Sequence, residues 1–386
     1  MKKKLFAVII CLALTAAVLA ACTLSPAGVL KSTMDNIAAN ATFDNGGSTS
    51  DKLSSCKGEG NGGFSLIFDE EKTFNRAFIT LDAEAEITLS ANGETLYSGK
   101  PGYMAFSSVT AKKLDVSVLC EGKWAASDCG VYNAHKAKNA PVVSVNAEDI
   151  ATLSAQDLND VSAVILRANV LYDTDGAVHF ADVNGRDGGE YFSECVSALK
   201  SITSAPIYMQ ADVMYTDGKD EVANGAHLRY TALRTNGYAT ARNLTNTVNS
   251  YGLQGLHLDF SDSETEGTTF YYLGDFGRMW KSFSGKKLSA TMLLEGAERS
   301  EKLEAFIAEL FRDGGAAALD ELILTSGNGE LSDAAKFVQS ESKLPVMLAV
   351  DCDKDTSPYA FVCDCGKRAA LINFNKAGAN AIKTVK

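Results

Sequence analysis

The sequence has no excess of positive charge: 36 lysines and arginines face 48 aspartates and glutamates, for a net charge of −12. That balance argues against a nucleic-acid partner and against a polybasic lipid patch, because both need clustered cations. It suits a neutral ligand. Histidine is scarce, with 4 residues, and none lies near Cys352 or the Cys363-Asp-Cys365 pair. No soft-metal site is assigned there; buried thiols or one disulfide are the readings kept. No nucleophile elbow is present, so His257 and Ser261 belong to no visible Ser-His-Asp set.

What is there begins with the leader "MKKKLFAVIICLALTAAVLAAC". Three lysines precede a mostly apolar run from Leu5 to Leu19, which is too short to span a membrane once its small-residue ending is considered. "LAAC" at Leu19 to Cys22 resembles a bacterial lipobox. The resemblance implies cleavage before Cys22, lipidation of its thiol, and a chain anchored at the cell envelope. An ordinary signal peptide cut near Ala21 would leave a free cysteine instead. Cleavage removes Lys2, Lys3 and Lys4, takes the net charge to −15 and leaves 365 residues, long enough for two domains. Seven cysteines remain beyond Cys22, an odd number that cannot all pair internally.

After a tether over 22–35, the texture to residue 137 is all β. "GGFSLIFDEEKTFNRAFITL", "AEITLSANGETLYSG" and "KKLDVSVLCEGKW" alternate and are broken by Gly, Asn and Asp. "ANGE" marks a hairpin, and a β-sandwich closes such strands. "FSLIFDEEKTFNRAFITL" resembles the strand pair of discoidin-type domains of the factor V/VIII C-type fold. "ATFDNGGSTSDKLSS" and "ASDCGVYN" resemble that family's opening and closing segments. The resemblance implies a jelly-roll domain over 36–137 that binds sugars through loops at one end. It also implies a structural calcium on Asp44, Thr49 and Asp128, residue types that suit a hard cation. Turn formation by Asp44 and Thr49 is the equal alternative.

From residue 140 the pattern changes to eight apolar strand runs, at 140–145, 161–172, 205–213, 252–260, 287–294, 321–326, 344–350 and 369–374. Helical patterns lie between most of them, including "GEYFSECVSALKSI", "YATARNLTNTVNSY", "YYLGDFGRMWKSF", "SEKLEAFIAELFRDGG" and "LSDAAKFVQSE". Buried parallel strands alternating with helices predict a TIM-type (β/α)8 barrel over 140–386, with its chemistry at the C-terminal strand ends. Polar residues stand there: Gln210 and Asp212, His257, Asp259 and Ser261, Thr325 and Ser326, Asp351, Asn373 and Asn375.

"YATARNLTNTVNSYGLQGLHLDFS" resembles the segment leading into strand four of glycoside hydrolase family 18, where chitinases and endo-N-acetylglucosaminidases carry D-x-x-D-x-D-x-E. In that family the N-acetyl oxygen of the sugar attacks the anomeric carbon. A Glu protonates the leaving oxygen, and the Asp two residues earlier holds the acetamide. Here those four positions are Gln254, His257, Asp259 and Ser261. The acetamide-holding Asp is kept as Asp259, and the acid is replaced by a serine, too weak a donor near neutral pH. The family marks on strands three, six and eight are also missing, since "MQAD", "LILTS" and "LINF" stand there. The resemblance therefore implies a surface lipoprotein that binds N-acetylglucosamine-containing glycans or peptidoglycan-type polysaccharide, with no cofactor in the barrel. Gln210, Asp351 and Asn373 are candidate ligand contacts. The alternatives are an endo-glycosidase using a displaced acid, Glu264 or Asp212, and an adhesion protein whose sandwich does the binding. Asp262 and Glu264 read most simply as a solvated loop. His257 reads as a hydrogen-bonded barrel residue, His135, His179 and His227 as structural or exposed, and Trp124 and Trp280 as packing residues.

Overall fold

The computed structural model describes residues 28, 30, 31, 34–134, 139–214, 227–261, 267–293, 318–325 and 345–385. Two compact units divide the chain. One holds residues 1–138, 360–366 and 381–386; the other holds 139–359 and 367–380. The leader, Cys22, Asp262, Glu264 and Ser326 lie outside the described residues, as do His135 and the two helical patterns starting at 300 and 331. Among the described residues no helix is long and apolar enough to cross a membrane.

The first unit is an antiparallel sheet of eight strands: β1 (Thr42–Asn45), β2 (Ser48–Ser50), β3 (Lys57–Glu59), β4 (Gly62–Leu81), β5 (Glu86–Ala91), β6 (Glu94–Gly99), β7 (Gly102–Leu119) and β8 (Lys123–Tyr132). The main path runs β2-β1-β4-β7-β5-β6, and β8 joins β3 and β4. The segment that resembles a strand pair is one 20-residue strand, β4, paired along its length with β7. Its register slips between Ile67 and Lys72. There Asp69 and Glu70 turn outward and pair with Lys72, so the charged stretch bulges without ending the strand. The hairpin read from "ANGE" joins β5 to β6, with Asn92 at φ 53° and Gly93 at φ 83°, the left-handed pair a two-residue turn requires. Alternate residues of β4, β5 and β7, among them Phe64, Leu66, Phe68, Ile87, Leu89, Leu114 and Val116, fill the core. Trp124 is buried and donates its indole N–H to Gly60 O at 3.0 Å. Arg76 and Asp364 form a buried ion pair, with Arg76 Nε 2.8 Å from Asp364 Oδ2, and the Tyr103 hydroxyl donates to the same oxygen at 2.6 Å.

The second unit contains β9 (Val142–Asn146), β10 (Ala163–Arg167), β11 (Val170–Tyr172), β12 (Val178–Phe180), β13 (Ile207–Val213), β14 (Gly255–Phe260), β15 (Lys287–Leu293), β16 (Glu321–Thr325), β17 (Val346–Asp351) and β18 (Arg368–Ile372). Eight of these are parallel and closed: the order runs β10-β9-β18-β17-β16-β15-β14-β13, and β10 pairs with β13 to complete the ring. This is the expected (β/α)8 barrel. The run read as one strand over 161–172 is two. Asn169, at φ 51°, breaks it, and β11 leaves the ring to pair with the upper end of β13 and with β12.

Inward-facing Val142, Ile165, Tyr208, Ile323, Met347 and Ala370 fill the barrel floor. Gly255 makes room for Tyr208, since a Cβ there would lie 2.6 Å from its ring. Helix Gly188–Ile202 starts where Asp187 accepts from Glu190 N–H at 2.9 Å, an N-cap. Helix Gly237–Ser250 packs against helix Gly267–Ser284, and Trp280 is wholly buried. Among the described residues, Cys56, Cys120, Cys129, Cys195 and Cys352 are buried thiols.

Gly277 sits inside helix Gly267–Ser284, where a Cβ would come 2.4 Å from the backbone oxygen of Ala318. Gly to Ala in an exposed helix stabilises by up to about 1 kcal/mol. Here Gly277→Ala is expected to lower stability by about 1–3 kcal/mol through overpacking. A thermal unfolding curve followed by circular dichroism checks this, and a raised midpoint would refute the close packing.

Candidate functional site

Alternation along two neighbouring strands builds the mouth of the barrel. On β13, Tyr208, Gln210 and Asp212 share one face, and on β14 Gly255, His257 and Asp259 do. The register sets Gln210 opposite His257 and Ala211 opposite Leu258, which brings Asp212 level with Asp259 at the C-terminal ends. Gln210 is buried, and its amide nitrogen donates to both carboxylates, at 3.2 Å to Asp212 Oδ2 and 3.4 Å to Asp259 Oδ2. The other oxygen of Asp259 accepts from the Ser261 backbone N–H at 2.9 Å. Burial raises the Asp212 carboxyl to about 6, and the neighbouring charge of Asp259 adds to the effect. The Gln210 amide and the positive charges of Arg229 and Arg167 work against it.

His257 lies one layer deeper and is buried. Its Nδ1 is 2.9 Å from Ser289 Oγ, and its Nε2 is 3.1 Å from Thr291 Oγ1. Burial pushes its pKa down to about 4, against the pull of Asp259 and with the push of Arg167. The imidazole is therefore neutral near pH 7 and serves as a hydrogen-bonded strut. Gln254 stands at the opposite end of β14. Its Oε1 accepts from Ile207 N–H at 2.8 Å and its Nε2 donates to Gly252 O at 3.0 Å, so it ties the strand entrances together and lies outside the mouth.

A second polar chain crosses the ends of β10, β18 and β17. Arg167 Nη1 donates to Asn373 Oδ1 at 2.7 Å, and Asn373 Nδ2 donates to Asp351 Oδ1 at 2.8 Å. Asn373 holds φ 51°, a left-handed conformation that asparagine tolerates better than most residues. Asn375 lies beyond it and donates to Asp353 at 3.0 Å. Thr325 ends β16. Of the other histidines, His179 contacts Asp173 at 2.8 Å and His227 is exposed.

Four residues of the site were not singled out from the sequence. Ser289 and Thr291 alternate inward within "KLSATML", and Arg167 closes "AVILR" at a strand's C-terminal end; both are readable signals. Arg229, buried with its guanidinium 5.4 Å from the Phe260 ring centre, had none.

In the first unit Asp44 and Thr49 are cross-strand partners, and Asp44 Oδ1 caps the turn by accepting from Gly47 N–H at 2.8 Å. Asp128 is level with Thr80 on another ladder and is ion-paired to Lys31 at 2.7 Å. Among the described residues no group of three or more His, Cys, Asp or Glu is placed to hold a metal.

No protein-family description matches the sequence, and no curated protein is similar to it. Solved structures with a related barrel include a family 18 chitinase from Flavobacterium johnsoniae, at 13% identity over 64% of this chain and 94% of that one, with a TM-score of 0.45. A chitinase from Chromobacterium violaceum gives 14%, 64%, 99% and 0.44. A spore cortex-lytic enzyme of Bacillus megaterium gives 9%, 73%, 79% and 0.47. Likeness at this level carries no argument about chemistry; the barrel rests on its own strand pairing.

The two shifted groups give opposing pH dependences. Between about pH 4 and 6 the folded chain keeps a proton on Asp212 that the unfolded chain has lost, so this group makes stability fall as pH rises. Between about pH 4 and 6.5 the unfolded chain protonates His257 and the folded chain does not, so this group makes stability rise with pH. Asp212→Asn removes the first effect. Its stability should climb over that range more steeply than the natural chain's, with His257 alone supplying up to about 1.4 kcal/mol per pH unit. Denaturant titrations at each pH test this, and identical profiles would show that Asp212 titrates normally.

Proposed function

We propose that the barrel mouth binds N-acetylglucosamine-containing glycans, of the chitin or peptidoglycan type, on an exported chain anchored through a lipid on Cys22. The carrying observation is Asp259. Its carboxylate is held at the strand end by Gln210 and by the Ser261 backbone, at the position where the family 18 resemblance places the acetamide-holding acid. A fixed carboxylate there accepts a hydrogen bond from a sugar amide N–H, and such charged hydrogen bonds contribute about 1.5–3 kcal/mol. The reading of binding without Glu-dependent cleavage is supported by Ser261, a weak acid at the position where the resemblance expects the Glu donor. The anchor rests on the lysines, apolar run and "LAAC" of the leader. The first unit is read as a discoidin-type sandwich that adds a second sugar contact.

The test is binding of the full chain to N-acetylglucosamine hexamer by calorimetry. The natural protein should bind, and Asp259→Asn should weaken binding at least about tenfold, the equivalent of 1.4 kcal/mol. Binding that survives the substitution unchanged would move the sugar to the sandwich and leave an adhesion protein. No binding at all would sink the reading.

A further inference from the structure

The mouth holds two carboxylates where one suffices to orient an acetamide. Asp259 is bonded on both oxygens, by Gln210 and by the Ser261 N–H, which is the environment of an ionised acceptor. Asp212 differs: among the described residues its one hydrogen-bond donor is Gln210. The Gln210 amide carries two N–H groups, which allows it to serve both acids at once and to hold them side by side. Two carboxylates this close do not readily ionise together, and the pair retains one proton into the range where an isolated aspartate has lost it. Asp212, which has fewer hydrogen-bond donors and whose carboxyl is raised by burial, keeps it. The charged groups facing Asp212 are Asp259 from β14, Arg229 from the helical stretch that precedes helix Gly237–Ser250, and Arg167 from β10; burial and Asp259 outweigh the two cations. His257 is no rival as donor, because it is neutral and engaged by Ser289 and Thr291.

We propose that Asp212 is the proton donor of this barrel, doing from β13 the work that Ser261 cannot do from β14. The inference rests on the glycan-binding reading above and adds hydrolysis to it. Asp212 passes its proton to the glycosidic oxygen as the bond from the anomeric carbon to that oxygen breaks. The acetamide of the same sugar, its N–H donating to Asp259, forms a bond through its oxygen to that carbon. Water then attacks the carbon, the acetamide oxygen leaves, and the proton released by the water returns to Asp212. One water is consumed and one new reducing end appears.

The experiment incubates the full chain with N-acetylglucosamine hexamer from pH 4 to 8 and reads products by mass spectrometry, with binding measured in parallel. Cleavage is expected at the acidic end, falling about tenfold per pH unit above about 6. Asp212→Asn should lose at least about 100-fold of the rate while binding within a few-fold of the natural protein. Asp212→Glu, which keeps the acid, should retain part of the rate and guards against a folding defect in the first variant. Binding without products at any pH overturns this inference and leaves the glycan-binding reading standing. Cleavage that survives Asp212→Asn also overturns it. Absence of both binding and cleavage overturns the two together.

Discussion

Pairing of β10 with β13 is the contact on which the barrel mouth depends. The chain between them makes a detour through β11 and β12, yet the ring closes past that hairpin. Closure fixes the tilt and stagger of all eight strands and so decides which side chains face inward. Without it, Gln210 and Asp212 would belong to a sheet edge. With it, they stand level with His257 and Asp259, and one glutamine amide reaches two acids. The Gly255–Tyr208 fit beneath them serves the same end, because a closed floor keeps water below from solvating His257.

The mouth balances its charges by depth. The buried layer carries a neutral imidazole between two hydroxyls, where a full charge would be costly. The layer above carries two acids, one amide and the nearby field of two arginines. Polar groups there are bonded to one another across strands, and the Arg167–Asn373–Asp351 chain does the same at the far rim. Such cross-bonding fixes side chains before any ligand arrives, the condition for selective recognition.

Much of this was legible in the sequence. The eight barrel runs were visible because each is a short apolar segment set between helical patterns, and tertiary closure preserved them with small shifts of their ends. The break at Asn169 was not, since nothing in "VILRANVLY" distinguishes a strand that continues from one that turns left-handed for a single residue. β4 was read as two strands because its acidic centre looks like a turn; a bulge absorbs those charges without breaking the ladder. His257 and Asp259 share one face of β14, and Ser261 follows just beyond its end. Gln254 shows the limit of carrying a motif by spacing alone: its place is five residues before Asp259 and at the other end of the strand. The Asp212–Asp259 pairing was conceivable from strand ends, but the amide that couples them depends on register, which no local pattern reveals. Helices Ser357–Asp364 and Lys376–Thr384 went unread because they are short, at 8 and 9 residues.

The free thiols have a kinetic meaning. Exchange and oxidation proceed through the thiolate, and burial raises Cys56 to about 11 and Cys352 to about 12, with Cys129 pushed up further. At neutral pH almost none of these sulfurs is in reactive form, and five of the seven are out of reach of a bulky oxidant. These three buried thiols are therefore slow partners in disulfide exchange, because a thiolate must form at each sulfur before it can attack.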